Sequence, residues 1–226
     1  MIYLTGDFHG NFKRLKKLPD PQNTIVIGLG DVGLNYFQDS YESEDKKYIN
    51  KKLKRFYAVR GNHEMRPESC GIPLIYDTFV DNYVYCEDKY PNIRYFIDGF
   101  TYKINGKKTL VIGGAYSIDK EFRLKNNLKW FANEQLDWVE KEFILQEIER
   151  DKNYDMVLTH TCPISWQPLD LFINNIDQSK VDKSMELFLE EVKNKIIFNK
   201  WYFGHFHADR CINDKAKMLF NSFEEV

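Results

Sequence analysis

The sequence has few cysteines and no long apolar segment. Its four cysteines are Cys70, Cys86, Cys162 and Cys211, and no two of them have the Cys-x-x-Cys spacing of a thiolate metal site or a redox motif. No apolar run approaches the roughly 18 residues that a membrane-spanning helix requires. The first ten residues, MIYLTGDFHG, lack the basic start and apolar core of a secretory signal. We therefore expect reduced thiols, no membrane association and a cytoplasmic protein.

A strong net charge and linker-like segments are also absent. The formal net charge of the 226 residues is −2, which gives no sign of an obligate nucleic-acid partner. No Pro/Gly/Ser-rich tract and no internal repeat divides the chain. Since 43% of the residues are hydrophobic, the chain can bury a sizeable core. We predict one domain over residues 1–226, with no evident obligate protein partner.

Short apolar runs alternate with helical patterns in the first third of the chain. Strands are predicted at 2–5, 24–28 and 56–60, and helices at 11–18 and 40–55. Each of these strands ends near a glycine that is followed by polar residues. In open α/β sheets, functional sites lie just beyond the carboxyl ends of strands.

The middle of the chain has a different pattern, in which short β-prone pieces suggest antiparallel strands added to the parallel core. Asn105-Gly106 is a strong hairpin signal between two of these pieces. The β-prone pieces are residues 79–85, 93–97, 99–104 and 108–112. Further along we predict helices at 133–149, with Asn133 as the N-cap, and at 181–195. The remaining strands are predicted at 155–159, 200–203 and 217–221.

The polar residues that follow the predicted strands include all five histidines of the chain. One histidine at a strand end is ordinarily structural, but a structural role does not explain why all five lie there. The whole set is Asp7, His9, Asp31, Asn62, His63, His160, His205 and His207. Imidazole, carboxylate and amide groups suit borderline metals such as Mn, Fe, Zn or Ni. The set is too large for one tetrahedral ion and fits two ions that share a bridging carboxylate.

Five short motifs carry a resemblance to a known family. They are GDFHG (6–10), GD (30–31), GNHE (61–64), LTH (158–160) and GHFH (204–207), and they occur in this order over nearly the whole chain. Together they resemble the pattern of the calcineurin-like metallophosphoesterase superfamily, particularly its small bacterial and phage-type members. The resemblance implies an α/β fold, a four-layer α/β/β/α sandwich with two mixed β-sheets.

The resemblance also implies two metal ions, divalent or trivalent. Manganese is the first expectation, with iron, zinc or nickel as alternatives. The first ion would be held by Asp7, His9 and His207, and the second by Asn62, His160 and His205. Asp31 would bridge the two ions and so take part in catalysis.

Three further residues are candidates for catalysis or phosphate binding. His63 would act on the substrate as a general acid or stabilise charge on the phosphate. Asn62 would bind the substrate together with His63. Glu64 would orient His63, or else is a surface carboxylate. Arg60 would contact phosphate through two hydrogen bonds, or else is an exposed arginine at a strand end.

The loop GGAYSIDKEFR (113–123) follows a predicted strand and resembles a loop of the small phage-type members. Lys120 or Arg123 within it would bind an anionic substrate, unless the segment is an ordinary connection into a helix.

The expected function is hydrolysis of a phosphomonoester or phosphodiester by in-line attack of a metal-bridging hydroxide. The substrate would be a phosphorylated small molecule, a nucleotide or a nucleic acid. One alternative is a nuclease or nucleotide phosphodiesterase, in which the basic segment 46–55 tracks a nucleic-acid backbone instead of forming a solvated helix face. Another is a non-catalytic scaffold of the same fold. The second motif continues as GDVGLNYF and lacks an arginine found in the serine/threonine phosphatase branch, which disfavours a protein phosphatase.

Overall fold

The structure is a computed structural model that describes residues 1–174 and 176–226. Four helices, α1 to α4, span Ser40–Lys52, Lys120–Lys125, Trp138–Arg150 and Ser184–Lys195. Strands β1 to β13 span Ile2–Thr5, Ile25–Leu29, Arg55–Val59, Leu74–Asp77, Asn82–Tyr85, Ile93–Tyr95, Thr101–Ile104, Lys107–Ile112, Asn153–Thr159, Ile197–Phe203, Arg210–Cys211, Ala216–Met218 and Glu224–Glu225. Over the described ranges, no helix combines the length and the apolar character needed to cross a membrane.

The strands form two mixed sheets. The first sheet has the order β13-β1-β2-β3-β6-β5-β4, and its central strands β1, β2, β3 and β6 are parallel. The second has the order β11-β12-β10-β9-β8-β7, with β12, β10, β9 and β8 parallel. Because neighbouring strands run in the same direction, the carboxyl ends of β1, β2 and β3 share one edge of their sheet, and those of β9 and β10 share one edge of theirs.

Three apolar clusters separate four layers of structure. The cluster between the sheets contains residues of both, such as Leu4 and Ile27 from the first and Leu158 from the second. A second cluster packs α1 against the outer face of the first sheet through Ile49. A third packs α3 and α4 against the outer face of the second sheet, around the buried Trp201. The expected sandwich of two mixed sheets between helices is confirmed.

Several local predictions need correction. Residues 11–18 form a 3₁₀ helix at Phe12–Lys17 instead of an α-helix. Strand β4 was not predicted, because its four residues follow Pro73 and show no clear alternation; pairing with β5 makes it a strand. The strand expected at 217–221 is Ala216–Met218. The hairpin at Asn105-Gly106 is confirmed, since it joins the antiparallel strands β7 and β8.

Helix α3 begins later than the sequence pattern indicates. Asp137, not Asn133, is its N-cap, and Asp137 forms a capping box with Glu140. In the chain before it, two carbonyl groups accept hydrogen bonds from arginines. The Asn133 carbonyl accepts from Arg66 Nε at 3.1 Å, and the Glu134 carbonyl accepts from an Arg60 nitrogen at 2.7 Å.

Replacing the cap should therefore affect stability only at the observed position. We expect Asp137→Ala to lower the free energy of unfolding by about 1 kcal/mol, because the Glu140 amide loses its acceptor. Asn133→Ala is the matched control and should change little, since Asn133 contributes its backbone carbonyl to Arg66. Urea denaturation of both variants measures the difference, and equal losses would place the start of the helix at Asn133 after all.

Candidate metal centre

The candidate site lies where the carboxyl ends of the two sheets meet. The loops after β1 and β2 are joined by backbone hydrogen bonds, including His9 N to the Asp31 carbonyl at 2.8 Å. Two further bonds connect the sheets. The His205 amide donates to Asp7 Oδ1 at 2.9 Å, and His160 Nδ1 lies 2.7 Å from the Leu29 carbonyl. These contacts fix residues that are far apart in the sequence in a single cluster.

Four of the predicted ligands have a left-handed backbone. The φ angles of His9, Asp31, His205 and His207 are 46°, 45°, 69° and 51°. Non-glycine residues rarely adopt this conformation, and each such residue costs about 1–3 kcal/mol. Strain of this kind persists where surrounding contacts enforce it, typically at functional sites. In this structure it gives the three loops after β1, β2 and β10 the sharp turns that direct these side chains into the cluster.

One half of the cluster contains Asp7, His9 and His207. Asp7 Oδ2 lies 3.7 Å from His9 Nε2 and 3.2 Å from His207 Nε2, and the two imidazole nitrogens are 2.9 Å apart. Asp7 is almost fully buried, yet its Oδ2 makes no hydrogen bond of good geometry. Burial alone would raise the pKa of Asp7, but nearby His207 and His160 and the His205 amide lower it to about 2. The carboxylate is therefore ionised, and its Oδ2 faces the two imidazoles of His9 and His207.

The other half contains Asp31, Asn62, His160 and His205. His160 is fully buried, and its Nε2 lies 2.8 Å from Asn62 Oδ1 and 3.7 Å from Asp31 Oδ1. The rings of His160 and His205 are 5.0 Å apart. Burial, together with neighbouring His160, lowers the pKa of His205 to about 3. Its imidazole is therefore neutral and offers a lone pair.

The orientation of Asn62 decides the chemistry of this half. Asn62 Nδ2 donates to Ser117 Oγ at 2.9 Å, and the Ser117 hydroxyl donates to the Glu134 carboxylate. That carboxylate also accepts from the Ser117 amide and from Trp130 Nε1 at 2.8 Å. Because Asn62 uses its NH₂ group on Ser117, its Oδ1 must be the atom that faces His160.

The two atoms that face each other are His160 Nε2 and Asn62 Oδ1, 2.8 Å apart. The Leu29 carbonyl can only accept, so His160 Nδ1 is the ring nitrogen that donates to it, which leaves Nε2 free to act as a ligand atom beside the amide oxygen. An imidazole nitrogen and an amide oxygen at this separation can bind one cation together. In the other half, the ionised Asp7 and the two imidazoles beside it offer three further ligand atoms. The donor set and its geometry therefore fit divalent metal ions.

Two groups of three side chains have their potential ligand atoms within 4.8 Å of one another, namely Asp7–His9–His207 and Asp7–Asp31–His160. Asp7 is the carboxylate that the two groups share. Asp31, the predicted bridge, accepts the His63 amide through Oδ1 at 2.8 Å. Its role as the bridge stays a prediction.

His63 lies between two cavities that open on the cluster. The first has a volume of about 620 Å³ and is walled by aromatic and polar residues, among them Tyr41 and Arg123. The second, of about 450 Å³, has mostly apolar walls. Asp31, His63, Asp119 and His207 line both cavities. Burial lowers the pKa of His63, with opposing influence from Asp31. A neutral His63 can donate one N–H to a ligand in either cavity.

Glu64 and Arg60 have different partners from those expected. Glu64 is buried, and its carboxylate accepts from the Val32 amide in the loop after β2; over the described ranges it makes no hydrogen bond to His63. Burial, reinforced by nearby Asp31, raises its pKa to about 8. Arg60 is buried too, with Nε bonded to Asp98 at 2.6 Å, and it lines neither cavity. These partners are not the ones expected, and the roles of Glu64 in orienting His63 and of Arg60 in contacting phosphate stay predictions.

The family was identified by comparison with known proteins. A model of the family described as calcineurin-like phosphoesterase matches residues 1–209. This chain belongs to the calcineurin-like phosphoesterase family. Its members hydrolyse phosphoric esters with bound metal ions, as the five motifs predicted.

One solved structure that resembles this phosphoesterase is the phosphopantetheinyl hydrolase PptH from Mycobacterium tuberculosis. The two chains are 12% identical, and the superposition covers 97% of this chain and 87% of PptH with a TM-score of 0.52. At that identity the similarity establishes the fold alone. No curated protein gave a significant sequence match.

The two cationic residues predicted to bind substrate differ in position. In this phosphoesterase Arg123 lines the larger cavity, with Nε bonded to Asp119 and one terminal nitrogen 2.8 Å from the Tyr36 hydroxyl. Lys120 lines neither cavity, since its ammonium lies over the Trp130 ring at 4.3 Å.

Sequence reasoning did not single out Ser117 or Glu134. The only signal was a serine in the polar loop after β8.

A glycine makes the close approach of two loops possible. A Cβ atom on Gly61 would lie 2.0 Å from Asp31 Oδ1 and 2.2 Å from the Asp31 amide nitrogen. We expect Gly61→Ala to displace Asp31 and to lower Mn²⁺ binding at least tenfold, as measured by calorimetry. Gly71→Ala is the control for a general loss of stability, since Gly71 has a φ of 70° but nothing within 4 Å of its Cβ position; it should still bind Mn²⁺ like the wild type. Unchanged binding by Gly61→Ala would mean that Asp31 does not need its observed position.

Proposed function

We propose that this protein is a dinuclear metal-dependent phosphoesterase that cleaves phosphoric esters at the junction of its two sheets. The observation that carries the proposal is the convergence of imidazole, amide and carboxylate groups, above all His160 Nε2 and Asn62 Oδ1 at 2.8 Å. Two sets of such groups meet around the buried carboxylates of Asp7 and Asp31. Two cations would neutralise both sets.

In this proposal Asp7, His9 and His207 hold one ion, and Asn62, His160 and His205 hold the other, with Asp31 between them. The ions, when bound, would make water acidic near neutral pH and would neutralise charge on phosphoryl oxygens. Manganese is our first candidate, since the donor set is imidazole and oxygen without thiolate.

His63 is the residue that we assign to the substrate itself. During hydrolysis the oxygen of water forms a bond to phosphorus while the ester P–O bond breaks, and the leaving oxygen takes a proton. His63 lines both cavities next to the ligand cluster, and its backbone amide is held by Asp31. There its side-chain N–H would donate to a phosphoryl oxygen or to the leaving oxygen. Arg123 would contribute positive charge from the wall of the larger cavity.

The alternative of a nuclease depended on the basic segment 46–55. In the structure Lys46 is largely buried and lies 2.5 Å from Glu87, and Lys47 lies 2.6 Å from Glu44. These pairs leave less free positive charge than the sequence suggests, so we favour a phosphorylated small molecule as substrate.

We also retain the proposal of a single domain over residues 1–226. Its support is that the family model reaches residue 209 and that β13 pairs with β1, which ties the end of the chain to its first strand. The cytoplasmic location predicted from the cysteines stays a prediction.

The decisive experiment uses metal-stripped protein titrated with Mn²⁺. We expect two Mn²⁺ per chain and Mn²⁺-dependent release of p-nitrophenol from p-nitrophenyl phosphate, bis-p-nitrophenyl phosphate or both. His63→Ala should bind Mn²⁺ normally but turn over about 10²–10³-fold more slowly, because it lacks the donor to the reacting phosphate. A single bound ion, or full activity of His63→Ala, would contradict the proposal.

Ser117 and Glu134 should act as positioning residues for Asn62. Removing the hydroxyl in Ser117→Ala frees the Asn62 amide to rotate, so that NH₂ faces His160 part of the time. We expect about tenfold weaker Mn²⁺ binding at the second site, read by calorimetry on the protein without substrate. Ser117→Thr, which keeps the hydroxyl, should restore the affinity. A merely structural role would give lower stability in Ser117→Ala with unchanged metal affinity.

A further inference from the structure

The smaller of the two cavities has features that the metal centre does not use. It has a volume of about 450 Å³, and Asn62, His63 and His205 line its inner end. Its outer part is built from the loop after β8, from the segment between β9 and α4, and from the turn after β10. The apolar side chains on this part are Ile118, Leu171, Phe172, Ile173, Val181 and Phe206. We call this part the apolar arm.

A phosphate group alone would make no favourable contacts with the apolar arm. A phosphoryl group bound beside His63 would have its organic group extending either along the arm or into the larger cavity. Charged groups are costly to bury against apolar walls, whereas each buried CH₂ group contributes favourably. The arm therefore suits an uncharged, largely apolar organic group and disfavours a second phosphate or a nucleic-acid backbone.

Polar side chains also line this cavity away from its inner end, and they are Tyr116, Asp119, Gln167, Gln178 and Glu186. Of these five, Glu186 is the buried one, with 4% of its surface exposed. Its Oε1 accepts from the Thr161 hydroxyl at 2.9 Å, but its Oε2 has no hydrogen-bond partner among the described residues. Burial raises the pKa of Glu186, since the surroundings penalise its charge. A hydrogen-bond donor on a ligand would offset this penalty, and unsatisfied buried polar groups are strong sources of specificity.

Resting on the proposed function, we infer that the substrate is a phosphoester whose organic group is an apolar chain carrying an O–H or N–H donor that Glu186 recognises. The chain occupies the apolar arm while the phosphate lies at the metal centre. Glu186 is then a specificity-determining residue with no part in the chemical step.

Chain length tests the arm. The substrates are methyl and butyl phosphate, followed by phosphate release, and methyl and butyl p-nitrophenyl phosphate, followed by p-nitrophenol release. We expect the butyl compound to have a kcat/KM at least about tenfold higher in whichever series is hydrolysed. Ile173→Asp, which puts a charge on the arm, should reduce this ratio to about one. Leu169→Asp is the matched control, because Leu169 is exposed in the same segment and does not line the cavity; it should keep the ratio.

Two isomeric chains test Glu186. The 4-hydroxybutyl ester offers a donor, whereas the 3-methoxypropyl ester of the same size offers only an acceptor. Wild-type protein should prefer the hydroxyl compound by about tenfold. Glu186→Gln still accepts from Thr161 but turns an NH₂ group toward the arm, so it should erase the preference. Equal rates for the two isomers in the wild type would overturn the role of Glu186.

Measurements of phosphonate binding test this inference independently of the proposed catalytic function. Thermal shifts with Mn²⁺ and non-hydrolysable butyl or methyl phosphonate report on the arm without turnover. Turnover without any preference for butyl would overturn the inference and leave the function intact. Selective binding of butyl phosphonate without turnover of any ester would support the arm and contradict the proposed catalysis. The absence of both effects would overturn both.

Discussion

The close approach of buried imidazole, amide and carboxylate groups at the junction of the two sheets is the constraint on which this structure depends. His160 Nδ1 faces the Leu29 carbonyl, and Asn62 donates through its NH₂ group to Ser117, so His160 Nε2 and Asn62 Oδ1 face each other across 2.8 Å. This orientation leaves a ring nitrogen and an amide oxygen side by side, as a shared metal ion requires.

The rest of the fold supplies the rigidity that this arrangement needs. Parallel strands deliver the ligands to one edge, and the apolar clusters on both faces of each sheet fix the strands in place. Cross-sheet bonds from His205 to Asp7 and from His160 to Leu29 then set the spacing of the two edges. Against this background the left-handed backbone of four ligands is tolerated, since packing elsewhere compensates for the strain.

The two cavities beside the candidate metal centre differ in their walls. Both contain His63, but Arg123 lines only the larger cavity, and the apolar arm with the buried Glu186 belongs only to the smaller one. Metal ligands of this kind can serve any phosphoric ester. The cavity walls decide which organic group is accepted, and in our proposal Glu186 selects a group that carries a hydrogen-bond donor.

From the sequence alone we could predict which polar residues follow the central strands. The five motifs also identified the family. Both predictions were possible because apolar runs and turns that contain His or Asp are local features of the sequence. The sequence could not identify the partners of side chains that meet across the fold. Arg60 and Glu64 follow a strand end as ligands do, yet Asp98 and the Val32 amide, distant in sequence, bind them. Ser117 and Glu134 became part of the site, and helix α3 began at Asp137, through contacts that only packing creates. Local pattern selects residue types and turns, whereas burial and long-range hydrogen bonds, which depend on three-dimensional proximity, decided which of those residues form the site.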